Sequence, residues 1–206
     1  VPTLIDGPLS PGGPILREES IMTVILFIAG IVVLFGVGMH NALVGKKNQV
    51  RNMFGSVDTL LKKRYDLIPN LVGSVQSYMK HEREVLTEVT RLRAQALAGN
   101  LTDEQTMDIN EKISEAIRGI MVAVENYPNL KANEQFMQLQ RTLTEVEEQI
   151  SAARRAYNAA VTDYNNAVEM YPTKIMAQLM NYRTKRVFTI GSTERQNVDV
   201  QGLFQR

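Results

Sequence analysis

Apolar positions along this chain fall into two regimes. Between Ile21 and Gly38 ("IMTVILFIAGIVVLFGVG") they run almost without interruption, and no charged residue occurs. Eighteen residues at ~1.5 Å rise per residue span roughly 27 Å, about a hydrocarbon core. The stretch therefore reads as a transmembrane helix over residues 21–39. A signal peptide would need a basic leader and a small-residue cleavage site, and both are missing here. From Val50 onward the apolar residues recur in steps of three and four: Val50, Phe54, Val57, Leu61, Ile68, Leu71, Val75, Met79, Leu86 and Val89. That spacing marks one helix face seated against partner helices. Arg64 and Glu82 fall on the stripe and interrupt it.

Helix ends are marked by local chemistry. Gly99 and Asn100 stop the first long helix, so one helix is expected from Asn41 to Ala98. Thr102 and Gln105 stand in capping-box relation, with Asp103 and Glu104 in the first turn of a second helix that Pro128 closes. A third runs from Phe136 to Tyr171 on the stripe Leu139, Leu143, Val146, Ile150, Ala153, Tyr157, Ala160, Tyr164 and Ala167. Pro172 ends it and opens a short fourth helix.

The expected fold is all-α: a single N-terminal transmembrane helix, an antiparallel bundle of three long helices over residues 40–182, a short fourth helix and an irregular tail over 183–206. Residues 1–20 hold four prolines and three glycines and read as a flexible tail before the membrane. Val1 in place of Met reads as processing or truncation. The first helix is much longer than its companions, so a stretch of its stripe near the membrane is expected to lack an intramolecular partner. A stalk of that kind predicts homo-oligomers.

Pro69 sits inside the first long helix. It removes the N–H that would bond the carbonyl of Tyr65. The helix either continues with a kink or restarts with Asp66 as its N-cap. The stripe keeps its phase through Pro69, which favours the continuous kinked helix.

Charge adds orientation. One Arg and no Lys precede the apolar block, whereas Lys46, Lys47, Arg51, Lys62, Lys63 and Arg64 follow it. The positive-inside rule puts the N-terminus outside and the bundle in the cytoplasm. Lys46 and Lys47 lie nearest the bilayer and are the expected contacts to anionic lipid. The further runs, Lys62–Arg64 and Lys174, Arg183, Lys185, Arg186, read as solvated faces. Net charge is +1 and no nucleic-acid-binding module is visible, which argues against nucleic acid as a partner.

Chemistry is poorly signalled. There is no Cys, so disulfides and thiolate sites are excluded. "HEREV" at 81–85 lacks the second histidine of a zinc helix. Glu145, Glu147 and Glu148 with Arg154 and Arg155 read as a solvated face. No catalytic, cofactor or metal site is assigned. Asn70, Arg154, Tyr157, Asn158 and Asn165 are the candidates for a polar layer that fixes helix register in the bundle.

Three segments, "LLKKRYDLIPNLV", "YMKHEREVLTEVTRLRAQA" and "YPNLKANEQFMQLQRTLTEVEEQISAARRAYNAAVTDYNNAVEMYPTKIMA", closely resemble the LemA family of bacterial proteins. The resemblance covers roughly Val37 to Ala177, with a looser echo in "TERQNVDV". It implies a membrane helix followed by a cytoplasmic helical bundle, with no established enzymatic activity, in a bacterial inner membrane. The chain departs from typical relatives in the residues that precede the membrane helix. One branch (MamQ-like) belongs to the magnetosome membrane of magnetotactic bacteria and acts in forming that organelle. The reading that follows is a non-enzymatic membrane scaffold. The alternatives are a regulatory adaptor that binds another protein through the bundle, and a magnetosome-forming protein.

Overall fold

The structure, a computed structural model, describes residues 14–99 and 101–189, with side chains from Ser20 onward. It contains six helices among those residues: α1 (Pro14–Val75), α2 (Arg83–Leu97), α3 (Asp103–Val124), α4 (Pro128–Lys131), α5 (Glu134–Glu169) and α6 (Thr173–Leu179). The fold is all-α, as the periodicity implies.

α1 is one helix of 62 residues with two kinds of surface. Its apolar side chains from Ile21 to Val37 stand in the open. From Leu43 onward a single face is buried, through Val50, Val57, Leu61, Ile68, Leu71 and Val75. Among the described residues this is the one helix long and apolar enough to cross a membrane. The chain is a membrane-associated helical protein. The helix begins at Pro14, so the irregular tail expected through residue 20 is cut short. Proline is well suited to a first helical turn, where its missing N–H costs nothing. Residues 1–13 lie outside the described part.

The single helix expected from Asn41 to Ala98 divides in two. α1 stops at Val75, the chain turns through residues 76–82, and α2 runs back along α1. Met79 is buried in that turn. Arg93 of α2 reaches the backbone of Tyr65 on α1, which gives the hairpin its register. The reversal lets Leu86, Val89 and Leu92 bury against the bundle; a straight continuation would carry them past its end. The bundle therefore has four principal helices, α1, α2, α3 and α5, in up-down-up-down order.

Cross-helix pairs establish the directions. Val85 lies beside Gly119, and Glu82 binds Tyr127, so α3 climbs against α2. Arg64 meets Glu147, and Phe54 packs edge-on against Tyr157 at 5.6 Å, so α5 descends against α1. Phe54 itself sits at the rim of the stripe and is only half-buried. α5, with 36 residues, is about 54 Å long and covers α1 down toward the membrane. α6 completes the cover. The stripe of α1 is thus buried within its own chain, against the expectation of an unpartnered stalk.

Helix ends follow their sequence signals. Thr102 caps α3 in a reciprocal capping box with Gln105. Asn133 caps α5 by accepting from the Phe136 amide at 3.0 Å. Gly99, just past the α2 C-cap, takes φ +75°, a conformation open to glycine at little cost. α3 ends at Val124, ahead of Pro128, which starts the single turn of α4.

Candidate functional site

Arg64 lies on the inward face of α1, one position before Tyr65 and four before Ile68. That register drives its guanidinium into the core, where it is 1% exposed. A buried cation must be paired and hydrogen-bonded. Nη1 donates to Ser114 Oγ at 2.8 Å and to Glu147 Oε2 at 2.7 Å. Nη2 donates to the carbonyl of Asn110 at 3.2 Å and to its side-chain oxygen. α3 supplies Asn110 and Ser114, and α5 supplies Glu147, so one side chain ties three helices together. Arg64 was expected in a solvated basic run and Glu147 in a solvated face. The stripe register corrects the first reading by putting Arg64 inside; Glu147 keeps about half its side chain in solvent while its Oε2 turns onto the guanidinium.

Next to this centre a cleft of about 270 Å³ opens between α3, α5 and the chain after Arg183. Glu111, Glu115, Arg118, Arg155 and Arg186 line it, a wall of mixed sign. Ser114 reaches the cleft, but its hydroxyl accepts from a guanidinium, which takes no proton. His40 and His81 line neither this cleft nor the smaller one of about 210 Å³ on the other side of Glu147. Among the described residues no group of three or more His, Cys, Asp and Glu could hold a metal ion. The arrangement can fix helix register and hold a polar group.

The segment 183–189 forms the third wall. It is extended and irregular, as expected, and two asparagines of α5 hold its backbone. Asn165 accepts from the Lys185 amide at 2.8 Å and donates to the Lys185 carbonyl at 2.9 Å. Asn158 does the same for Phe188, at 2.8 and 2.9 Å. Seven helical residues rise about 10.5 Å, and three extended residues span about 10 Å, so the two spacings match. As α5 descends the segment ascends. Tyr157 stacks edge-on with Phe188 at 5.3 Å, and the Arg154 guanidinium lies 5.3 Å from the same ring. Lys185 pairs with Asp103 and Arg186 with Asp108, which anchors the segment to α3 as well. Residues 190–206 lie outside the described part.

Four of the five residues named for a polar layer, Arg154, Tyr157, Asn158 and Asn165, thus gather around 185–188. Asn158 and Asn165 bond this segment and not a facing helix. Asn70 is exposed on α1, away from them, and its carbonyl accepts from Ser74. Pro69 lies inside α1, which runs through it without a break; the restart at Asp66 is overturned. Lys46 is half-buried, and Lys47 is exposed with its ammonium 4.6 Å from the Tyr182 ring.

The centre at Arg64 was missed from sequence, although its signal was visible. Arg64 and Glu82 are the two charges on the apolar stripe, and both make bonds between distant segments. Glu82 accepts the Tyr127 hydroxyl proton at 3.0 and 2.9 Å. That bond, followed by partial desolvation, raises the Tyr127 pKa. Burial pushes Tyr157 up to about 12, with Asp103 and Glu104 adding to it. Tyr65 is raised too, chiefly by burial.

Residues 53–201 match the LemA family. Protein LemA of Metamycoplasma hominis is 26% identical over 188 residues, covering 90% of this chain and 85% of that protein. Magnetosome protein MamQ 2 of Paramagnetospirillum magneticum is 22% identical over 203 residues, with 85% and 73% covered. Magnetosome protein MamQ of Magnetospirillum gryphiswaldense is 19% identical over the same length.

Proposed function

The chain belongs to the LemA family, and on that premise we propose that it is a membrane-anchored scaffold without catalytic activity. The observation that carries this reading is the continuity of α1. One helix supplies both the lipid-facing stretch before Val37 and the buried stripe after Leu43. No linker separates anchor from bundle, so the bundle is held at a fixed height above the bilayer. Such a part presents a surface; it does not search for a substrate.

The N-terminus lies outside and the bundle in the cytoplasm, on the strength of Lys46, Lys47 and Arg51 following the span. Because the chain lacks Cys, a single cysteine at Ser10 or at Gln138 can be probed with an impermeant maleimide on intact cells. Labelling at Ser10 alone fits this orientation, and labelling at Gln138 alone reverses it. The scaffold role itself is tested by imaging the tagged protein in its host and examining the membranes of a deletion strain. Unchanged membranes and no lost assembly would sink it. After Leu43 the stripe of α1 is covered by its own chain, so lateral self-association would have to use the open stretch before Val37 or another face; light scattering in detergent decides it.

Two further readings have their own support. A regulatory adaptor would take its partner in the cleft beside Arg64, whose mixed charges suit a polar segment. A place in the magnetosome membrane is supported by the similarity to the MamQ proteins at 19–22% identity, below the 26% to Protein LemA. Magnetosome counts in the deletion strain of a magnetotactic host would decide it.

A further inference from the structure

Large apolar side chains left in the open after Val37 are unevenly placed. Tyr78, Leu97 and Val122 are isolated, whereas Met170, Tyr171, Ile175 and Leu179 fall together on α6 and the turn before it. Ile175 and Leu179 are four apart and share one face of α6, and Tyr171 is exposed in the turn just before the helix. They are 55%, 78% and 74% exposed. Ala177, on the other side of α6, is buried.

The height of α6 is given by its partner. The end of the Met176 side chain lies 3.9 Å from where a side chain on Gly36 would begin. Gly36 belongs to the last turns of the uncharged stretch. Gly36 and Met39 are half-buried and Leu43 is buried, so α6 packs along α1 at the junction of span and bundle. At this level a span that fills the hydrocarbon core meets the headgroups. Lys174 reaches over the Tyr171 ring at 5.5 Å, Arg183 follows α6, and Lys46 and Lys47 follow Leu43 on α1, Lys47 lying 4.6 Å from the Tyr182 ring. Aromatic rings with lysines that bury their stems and extend their charge are the chemistry of a membrane interface.

We propose that α6 and the turn before it form a second membrane-binding element, whose Tyr171, Ile175 and Leu179 enter the headgroup–acyl boundary of the bilayer that α1 crosses. This rests on the reading of residues 21–39 as a span. Apolar area left exposed beside the end of the span is thereby covered by lipid. The bundle is gripped at two points and loses its freedom to swivel on a single helix.

The chain contains no Trp, so one introduced indole reports its own surroundings. Full-length Leu179→Trp, Val32→Trp and Val122→Trp are reconstituted into phosphatidylcholine–phosphatidylglycerol vesicles, with acyl chains brominated near the headgroup in one matched set and near the chain end in another. The expected result is blue-shifted emission from Leu179→Trp quenched by the headgroup-level bromine, quenching of Val32→Trp by the chain-end bromine, and water-like emission from Val122→Trp unquenched by either. Water-like, unquenched emission from Leu179→Trp beside a quenched Val32→Trp overturns the proposal and leaves the span standing. An unquenched Val32→Trp overturns both. Blue-shifted but unquenched emission from Leu179→Trp that reverts to water-like as lipid is added assigns the face to a second copy of the chain, and the proposal falls.

Discussion

Arg93 Nε donates to the carbonyl of Tyr65 at 2.8 Å, and Tyr65 is the residue whose helical donor Pro69 removes. In an α-helix that carbonyl would accept from the amide four residues on. A proline there has no N–H to give. The hairpin brings α2 back at the height where the orphaned acceptor waits, and a guanidinium takes the place of the missing amide. The break in the ladder of α1 is thereby also a docking point for α2.

That relationship predicts coupling between positions 69 and 93. Arg93→Met is expected to cost about 1.5–3 kcal/mol, the worth of a bond from a charged donor. In a Pro69→Ala background the helix supplies its own donor, and the same change should cost a few tenths. A double-mutant cycle from thermal unfolding of the full chain in detergent, followed by circular dichroism, measures the difference. Equal costs in both backgrounds would show that Arg93 does not answer Pro69.

The centre at Arg64 predicts an asymmetry between halving the network and replacing it. Asn110→Ala leaves a buried cation short of acceptors and should destabilise the bundle by about 3 kcal/mol. Arg64→Met combined with Asn110→Leu removes the charge together with its partner and should recover most of that loss. Unfolding midpoints of the two variants in the same detergent provide the comparison.

For the segment after Arg183 the expected readout is local. Asn158→Ala with Asn165→Ala removes the acceptors of the Phe188 and Lys185 amides. Hydrogen exchange at those two amides should accelerate strongly while α3 and α5 stay protected. Protection that survives the double change would mean that the ion pairs with Asp103 and Asp108 suffice.

Alkaline stability has a predictable sign. The folded state holds Tyr157 protonated up to about 12, whereas in the unfolded chain it titrates near ~10. Its contribution is complete below ~10 and is lost as pH rises toward the folded value. Tyr65 is shifted in the same direction. Stability should fall across that window, and Tyr157→Phe should make the fall shallower. Unfolding midpoints at successive alkaline pH values test this.

Much of the architecture is legible in residue order because burial is periodic and caps are local. Val50, Val57, Leu61 and Ile68 announce the inner face of α1 by their spacing alone, and Thr102 with Gln105 announces the start of α3. The hairpin at residues 76–82 is not legible in that way. The stripe continues in phase from Val75 through Met79 to Leu86, and periodicity cannot distinguish a helix that goes on from one that doubles back. The partners of Arg64 are hidden for a related reason. Asn110, Ser114 and Glu147 lie 46 to 83 residues away, and nothing local tells Asn110 or Glu147 from the surface residues beside them. Asn158 and Asn165 share a helix face by their seven-residue interval, but their partner is an extended segment with no periodicity of its own, and its register shows only in three dimensions.

The unbroken course of α1 through residues 38–43 has a geometric consequence. Anchor and bundle turn on one screw, so the compass bearing of every bundle surface within the plane of the bilayer is set by residue count. One residue inserted there would lift the bundle by only about 1.5 Å but swing it through about 100°. Such an insertion would disarm a neighbour-facing surface by pointing it the wrong way, with every atom of that surface intact.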